Sequence, residues 1–240
     1  MRGLAMHSKT EEKEIFPLFI ASTVHDIKNA LSGVLGELEN FTERMDNDNE
    51  EDRHMVAVLQ YEAARINVSL MQLLTLYKMD NENLGITVMP TDVFELAEDT
   101  IAGFQNIARL KQLSILNQTP EELVWNCDSS LIEICLTNII GNSVRYCDQK
   151  VAVDAQTVEN AGHSYLCLAI EDDGRGYPQA MIENSAQYIR RISSRTGSTG
   201  LGLYFADTVA RLHQNNQHRG FIRLSNEASL GGGRFEIWLP

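Results

Sequence analysis

From Ile20 to Met45 the apolar residues fall at Ile20, Val24, Ile27, Leu31, Val34, Leu38, Phe41 and Met45. The steps alternate between four and three, which is the period of a coiled-coil seam and predicts one helix. Pro17 marks its first turn or a kink. The seam stops at the acidic, Asn-rich run from Asp46 to Asp52, which has little to bury and reads as an interhelical loop. A second seam follows at Leu59, Ala63, Ile66, Leu70, Leu73 and Tyr77, closing near Asp80-Asn81 with Gly85 beyond. Two helices of roughly 30 residues are each about 45 Å long. One antiparallel hairpin of that length leaves much of each stripe wet. Burying a large apolar side chain contributes about 1.5–3 kcal/mol. The pattern therefore predicts a homodimer in which two hairpins make a four-helix bundle. The competing arrangement is a hairpin packed on the rest of its own chain.

Past Gly85 the period changes. Gly85 to Met89 reads as a short strand, and Pro90-Thr91-Asp92 opens a helix over Val93 to Ala108. Leu113 to Leu116 is a predicted strand, and Ser129-Ser130 precedes a helix over Leu131 to Tyr146. Strands are expected at Lys150 to Val158 and Tyr165 to Glu171. A Gly-rich polar region runs to Gly200, followed by a helix over Leu203 to His213 and closing strands at Gly220 to Ser225 and Gly233 to Leu239. The fold class is α+β: a helical hairpin, then a mixed sheet with helices on one face. The expected divisions are a polar tail (1–14), a helical hairpin (15–84) and a sheet domain (85–240).

Charge narrows the functional classes. The 240 residues carry a formal net charge of −13. That balance argues against nucleic acid, which demands a basic face, and against docking on an anionic membrane. No run approaches the ~20 apolar residues that span a bilayer, and the first residues lack the apolar core of a secretory signal. The expectation is a cytoplasmic protein with no sensor domain in this chain, informed by a separate sensor partner. Cys127, Cys135, Cys147 and Cys167 form no C-x-x-C pair and read as reduced thiols rather than zinc ligands.

Four segments carry candidate chemistry. His25-Asp26-Ile27-Lys28-Asn29 lies on the first helix. Val24 and Ile27 belong to the seam, so His25 stands on its flank. A neutral imidazole there is a nitrogen nucleophile, and a neighbouring carboxylate can take its proton. A solvated surface histidine looks the same. In the helix Leu131 to Tyr146, Asn138, Asn142, Arg145 and Tyr146 share one face. Amide oxygens suit Mg²⁺ and an arginine suits phosphate, although an ordinary polar helix face has the same composition. Asp172-Asp173-Gly174-Arg175-Gly176 follows an apolar strand, where glycines let a planar base approach the backbone. An acidic turn is the alternative; the EF-hand spacing is absent. Thr199-Gly200-Leu201-Gly202-Leu203 opens a helix, a place that favours anions, yet it is no P-loop, because no Gly-Lys-Ser/Thr follows.

In this order and spacing the segments resemble those of bacterial two-component sensor histidine kinases, whose catalytic domains belong to the GHKL ATPase superfamily. The ending from Gly231 to Pro240 is also similar to that family's terminal strand, and the likeness covers about residues 15 to 240. The resemblance implies a dimeric phosphoacceptor domain and an α/β-sandwich ATPase domain that binds ATP and Mg²⁺. His25 would accept the phosphoryl group, Asp26 would activate it, and Asn29 would position water for dephosphorylating a partner. Asn142 would hold Mg²⁺, while Asn138 and Arg145 would help bind the phosphates. Asp172 would take the adenine amino group. Tyr146, Gly174, Gly176, Thr199, Gly200, Leu201 and Gly202 would shape the pocket, with residues 177–199 as a lid. The partner implied is a response-regulator receiver domain. This sequence departs from the commonest pattern at Ala30 and Leu31, where a proline is usual, and at Ser198, where a glycine is frequent. Two other readings share parts of this set. A phosphorelay adaptor keeps the His25 bundle without a working ATP site, and another GHKL-type ATPase keeps the pocket without needing His25.

Overall fold

The computed structural model describes residues 23–24, 26–38, 40–42, 44, 50–81, 85–160, 162–183 and 200–240. They separate into two compact units, Met1–Leu84 and Gly85–Pro240. His25, Pro17, Ile20, Met45 and Thr199 lie outside the described residues.

In the first unit all described residues between 23 and 44 are helical (α1). The second helix, α2, spans Glu50–Asn81. It therefore starts within the acidic run expected to be loop. Glu51 and Asp52 lie in its first turn, where carboxylates are favoured by the positive end of the helix dipole. Gln60 Nε2 donates to Thr42 Oγ1 at 3.2 Å and joins the two helices near their connection. The seams divide into alternate sets. On α1, Val24 is buried and Leu31 and Leu38 are half-buried, while Ile27, Val34 and Phe41 remain 46%, 51% and 53% exposed. On α2, Val56 and Ala63 are buried and Leu70 and Tyr77 half-buried, while Leu59, Ile66 and Leu73 remain 49%, 48% and 44% exposed.

The second unit opens with β1 (Met89–Asp92), which pairs antiparallel with β3 (Val124–Cys127). Residues 85–88, expected as strand, are not; the ladder begins at Met89. Asp92 caps α3 (Val93–Ala102), its carboxylate accepting from Glu95 N at 3.0 Å. The expected single helix to Ala108 is broken at Gly103, a poor helix former, and resumes as α4 (Gln105–Lys111). Next come β2 (Ser114–Asn117), α5 (Ser129–Tyr146), β4 (Lys150–Asn160), β5 (His163–Asp172), α6 (Gln179–Glu183), α7 (Leu201–Leu212), a small hairpin of β6 (Gln214–Asn215) and β7 (His218–Arg219), β8 (Phe221–Ser225) and β9 (Arg234–Leu239).

The main sheet has the order β2-β4-β5-β9-β8. β2 runs parallel to β4 and the other neighbours are antiparallel. Helix α5 touches both α3 and α7, and all three touch the strands beneath, so they form a single layer. β5 is central and every residue from Tyr165 to Asp172 is buried. Its even-numbered residues, Leu166, Leu168 and Ile170, share one face of the pleat with Asp172. On the other face Tyr165, Cys167 and Trp238 form a cluster with Phe221, which stacks on Trp238 at 5.3 Å. The four cysteines are free. Burial pushes the Cys147 thiol up to about 11 and the Cys167 thiol to about 12, which suits inert core thiols. No described helix is long and apolar enough to cross a membrane.

Candidate functional site

The site is built around the last residue of β5. Asp172 lies on the face of the sheet that α5 covers, and Ser143 of α5 donates its hydroxyl to Asp172 Oδ2 at 3.2 Å. Two backbone N–H groups converge on the other oxygen: Gly174 N at 3.0 Å and Gly233 N at 3.3 Å from Oδ1. Gly232 N also donates to the Asp172 carbonyl at 3.0 Å. A carboxylate held this way keeps one orientation, and its Oδ2 retains acceptor capacity beyond Ser143.

Neighbouring Asp173 has a different task. It accepts from the backbone N–H groups of Asp148 at 2.9 Å, Gln149 at 3.0 Å and Lys150 at 3.0 Å. Burial alone would raise its carboxyl, but these donors outweigh burial and hold it below its ordinary range. Asp173 thus ties the loop after α5 to the start of β4, and Asp172 is the carboxylate left to the site.

Helix α5 has two faces. Leu131, Ile132, Cys135, Leu136, Ile139, Ile140 and Val144 are buried. Asn142, Arg145 and Tyr146 are exposed, and Asn138 is half-buried. The Asn138 Nδ2 atom is itself buried with no hydrogen-bond partner among the described residues. The Arg145 guanidinium lies 5.5 Å over the Tyr146 ring. Asp128 sets the position of this face by capping α5, its carboxylate accepting from Leu131 N at 3.1 Å.

Glycines bring the other segments up to α5. A Cβ on Gly174 would overlap the Tyr146 carbonyl, and a Cβ on Gly202 would overlap the Asn138 amide. The loop after β5 and the first turn of α7 therefore approach this helix at glycine distance only. Gly200 precedes α7 with φ 65°, a left-handed conformation that glycine adopts without strain. Gly176 has φ 71°.

Of the residues singled out from sequence, the structure brings Tyr146 and Gly174 beside Asp172 at the end of β5, and sets Gly202 against Asn138 of the same helix α5. Asn142 and Arg145 lie beside Asn138 on the same helix face. In the first unit Asp26 and Asn29 are exposed on α1, next to undescribed His25. Sequence reasoning missed Ser143, Gly232, Gly233 and Asn226. Ser143 directly follows Asn142 in the singled-out helix but carries no signal of its own. The triple glycine Gly231-Gly232-Gly233 was the available clue for the strand side. Tyr177 also reaches the site: its ring lies against Gly233, and burial with the Asp172 charge pushes its phenol up.

Residues 18–82 match the His Kinase A (phospho-acceptor) domain. Residues 127–240 match the histidine kinase-, DNA gyrase B-, and HSP90-like ATPase family. Among curated proteins the chain is 24% identical over 226 residues to the sensor histidine kinase TmoS of Ectopseudomonas mendocina, covering 92% of this chain and 22% of TmoS. It is 26% identical over 226 residues to the probable sensor histidine kinase TcrY of Mycobacterium tuberculosis, covering 92% of this chain and 45% of TcrY. It thus spans less than half the length of these relatives. Among solved structures, full-length ShkA in complex with AMPPNP has a TM-score of 0.60 at 19% identity, covering 93% of this chain and 46% of ShkA. The Acinetobacter baumannii histidine kinase AdeS has a TM-score of 0.56 at 20% identity, covering 88% of this chain and 95% of that one. These structural likenesses share the fold described above.

Proposed function

Since the chain belongs to the histidine kinases, carrying their phosphoacceptor and ATPase domains in that order, we propose that it moves the γ-phosphoryl group of ATP to His25 and then to an aspartate of a response-regulator receiver domain. The observation that carries the nucleotide half is the Asp172 carboxylate. Its Oδ1 is held by Gly174 N and Gly233 N, and its Oδ2, oriented by Ser143, has room for one more donor. That donor is the adenine amino group. Gly174 and Gly176 let the loop close against Tyr146 and Asn226 beside that carboxylate, and the exposed Tyr146 ring offers the base an aromatic face.

The phosphates lie toward Asn138, Arg145 and the α7 end. The buried, unpartnered Asn138 Nδ2 fits a phosphate oxygen as its missing acceptor. Gly200, Leu201 and Gly202 bring the start of a 12-residue helix to the same phosphates. Mg²⁺ would neutralise phosphate charge there. Asn142 supplies a neutral oxygen of the hard kind that this ion prefers. No cluster of three acidic, His or Cys residues exists among the described residues, so the ion would depend on phosphates and water for most of its ligands.

On the acceptor side a nitrogen of His25 attacks γ-phosphorus. The P–N bond forms as the bond to the β-phosphate oxygen breaks and ADP leaves. Asp26 takes the ring proton. In the reverse sense, Asn29, one helical turn on, orients water to dephosphorylate the receiver. Dimerisation through α1 and α2 is supported by the half of each seam left exposed. The reading places the protein in the cytoplasm, where ATP and receiver domains are found.

The test is self-labelling with γ-labelled Mg-ATP, comparing wild type with His25→Ala. The expected result is acid-labile label on wild type and none on the variant, with ATP binding equal in both. Label retained by His25→Ala, or a wild type that binds no ATP, overturns the proposal.

A further inference from the structure

The chain turns sharply just after Asp172, and neither glycine segment explains what holds the turn in place. Gly176 sits at φ 71° and Tyr177 follows it. Both backbone polar groups of Tyr177 are taken by one side chain from a distant part of the sequence. Asn226, one residue past β8, accepts from Tyr177 N through Oδ1 at 2.7 Å and donates through Nδ2 to the Tyr177 carbonyl at 2.9 Å. The side-chain amide thereby imitates a β-ladder partner, with donor and acceptor each satisfied. The fit is close: a Cβ on Gly176 would lie 2.5 Å from Asn226 Oδ1 and 2.8 Å from Cγ.

The consequence reaches the carboxylate. With its backbone gripped, Tyr177 lays its ring against Gly233. A Cβ built on Gly233 would fall 3.0 Å from ring carbon Cε2 and 3.5 Å from Asp172 Oδ2. Ring and carboxylate are therefore neighbours across a single glycine. Tyr177 is also where residues 177–199 begin.

We propose that Asn226 is a positioning residue of the nucleotide site. It fixes the Tyr177 ring as a wall beside Asp172 and so determines how the base edge meets that carboxylate. This rests on Asp172 being the adenine anchor. Asn226 touches no reacting atom; it acts through Tyr177. Losing the grip costs both hydrogen bonds to the Tyr177 backbone, because Asp173 and Gly174 anchor the loop only upstream of it, and the wall loses its fixed distance from Asp172.

The experiment uses the full chain, with Mg-ATP affinity and self-labelling kinetics as readouts. Asn226→Ala is expected to raise the KM and Kd for ATP about tenfold, with kcat at saturating ATP within about twofold. Asn226→Asp preserves volume and the acceptor but turns an oxygen toward the Tyr177 carbonyl. It should be at least as impaired as Ala, whereas a residue that merely fills space would tolerate it. Tyr177→Ala should match Asn226→Ala, and the double variant should be no worse than either single one, because both remove the same wall. An Asn226→Asp protein that binds ATP like wild type, or strictly additive losses in the double variant, overturns the proposal. If Asn226→Ala fails to fold, the Asp variant and Tyr177→Ala decide. A wild type that binds no ATP sinks the kinase reading and this inference with it. A wild type that binds while Asn226→Asp binds equally sinks the inference alone.

Discussion

The helical hairpin and the sheet unit bury their apolar residues in opposite ways. In the sheet unit, β5 hides every side chain from Tyr165 to Asp172 between the helix layer and the aromatic cluster on its other face. In the hairpin, alternate seam residues stay near half exposed: Ile27, Val34 and Phe41 on α1, and Leu59, Ile66 and Leu73 on α2. Both units have a regular apolar pattern. A sheet with helices on one face and its own aromatics on the other can close on itself. A two-helix hairpin presents each stripe to a single neighbour and leaves the rest to another surface. The proposed nucleotide residues thus sit on a self-contained scaffold. The proposed acceptor helix stands on one whose seam is half open.

The most severe way to break this contrast is to charge the exposed seam. Val34→Glu together with Ile66→Glu should convert a dimer to monomers. Each side chain is worth about 1.5–3 kcal/mol and counts twice in a symmetric dimer, for a loss of about 6–12 kcal/mol. Sedimentation would report it, and a variant still sedimenting as a dimer would refute the seam as the interface.

A smaller effect separates the ion pairs of the two units. Arg234 pairs with Glu171 and donates to Glu236 at 2.7 Å, at side-chain exposures of 17%, 7% and 11%. Arg234→Ala removes the buried cation between two carboxylates, leaving Glu171 to Ser229 and Glu236 to Trp238 and Arg223, and should cost about 3 kcal/mol in denaturant unfolding. Arg65→Ala in the hairpin removes a pair with Glu62 in which both side chains are nearly half exposed, and should cost under ~1 kcal/mol. Equal losses would mean that the Arg234 cluster is not the buried clamp it resembles.

The smallest effect is a pH signature. Asp173 has a folded carboxyl lowered from its ordinary 3.8, despite burial, by the backbone donors of Asp148, Gln149 and Lys150. A lowered carboxylate stabilises the fold above its unfolded value, and that contribution is lost as pH falls through the lower folded one. Asp173→Asn should therefore be about 1–2 kcal/mol less stable than wild type at pH 7. The gap should narrow as the pH drops below 3.8. A gap independent of pH would assign the loss to packing instead.

Much of this architecture could be read along the chain. The alternating four and three steps announced both hairpin helices, because a seam needs no knowledge of what covers it. Helix α5 was legible because two asparagines and an arginine interrupt an apolar period on one side only. The central strand was legible from its apolar run, expected over Tyr165 to Glu171 and observed over His163–Asp172. Other features were not. Gly103 split an expected helix, since a lone glycine can be tolerated or not depending on packing. The acidic Glu50-Glu51-Asp52 looked like loop, yet it fits the first turn of α2. β3 went unseen because its four residues form a strand only by pairing with β1.

The sequence by itself determined the periods, the helix faces, the acidic charge and the order of the four chemical segments. These are properties of neighbours within a few residues, so local spacing is enough to specify them. Only the tertiary structure decided which oxygen of Asp172 is held and by whom. Ser143 comes from 29 positions earlier and Gly233 from 61 later. It also decided that Asn226, 49 positions beyond Tyr177, holds the corner beside that carboxylate. A hydrogen bond needs two groups within about 3 Å, and chain separation says nothing of that distance until the sheet has formed.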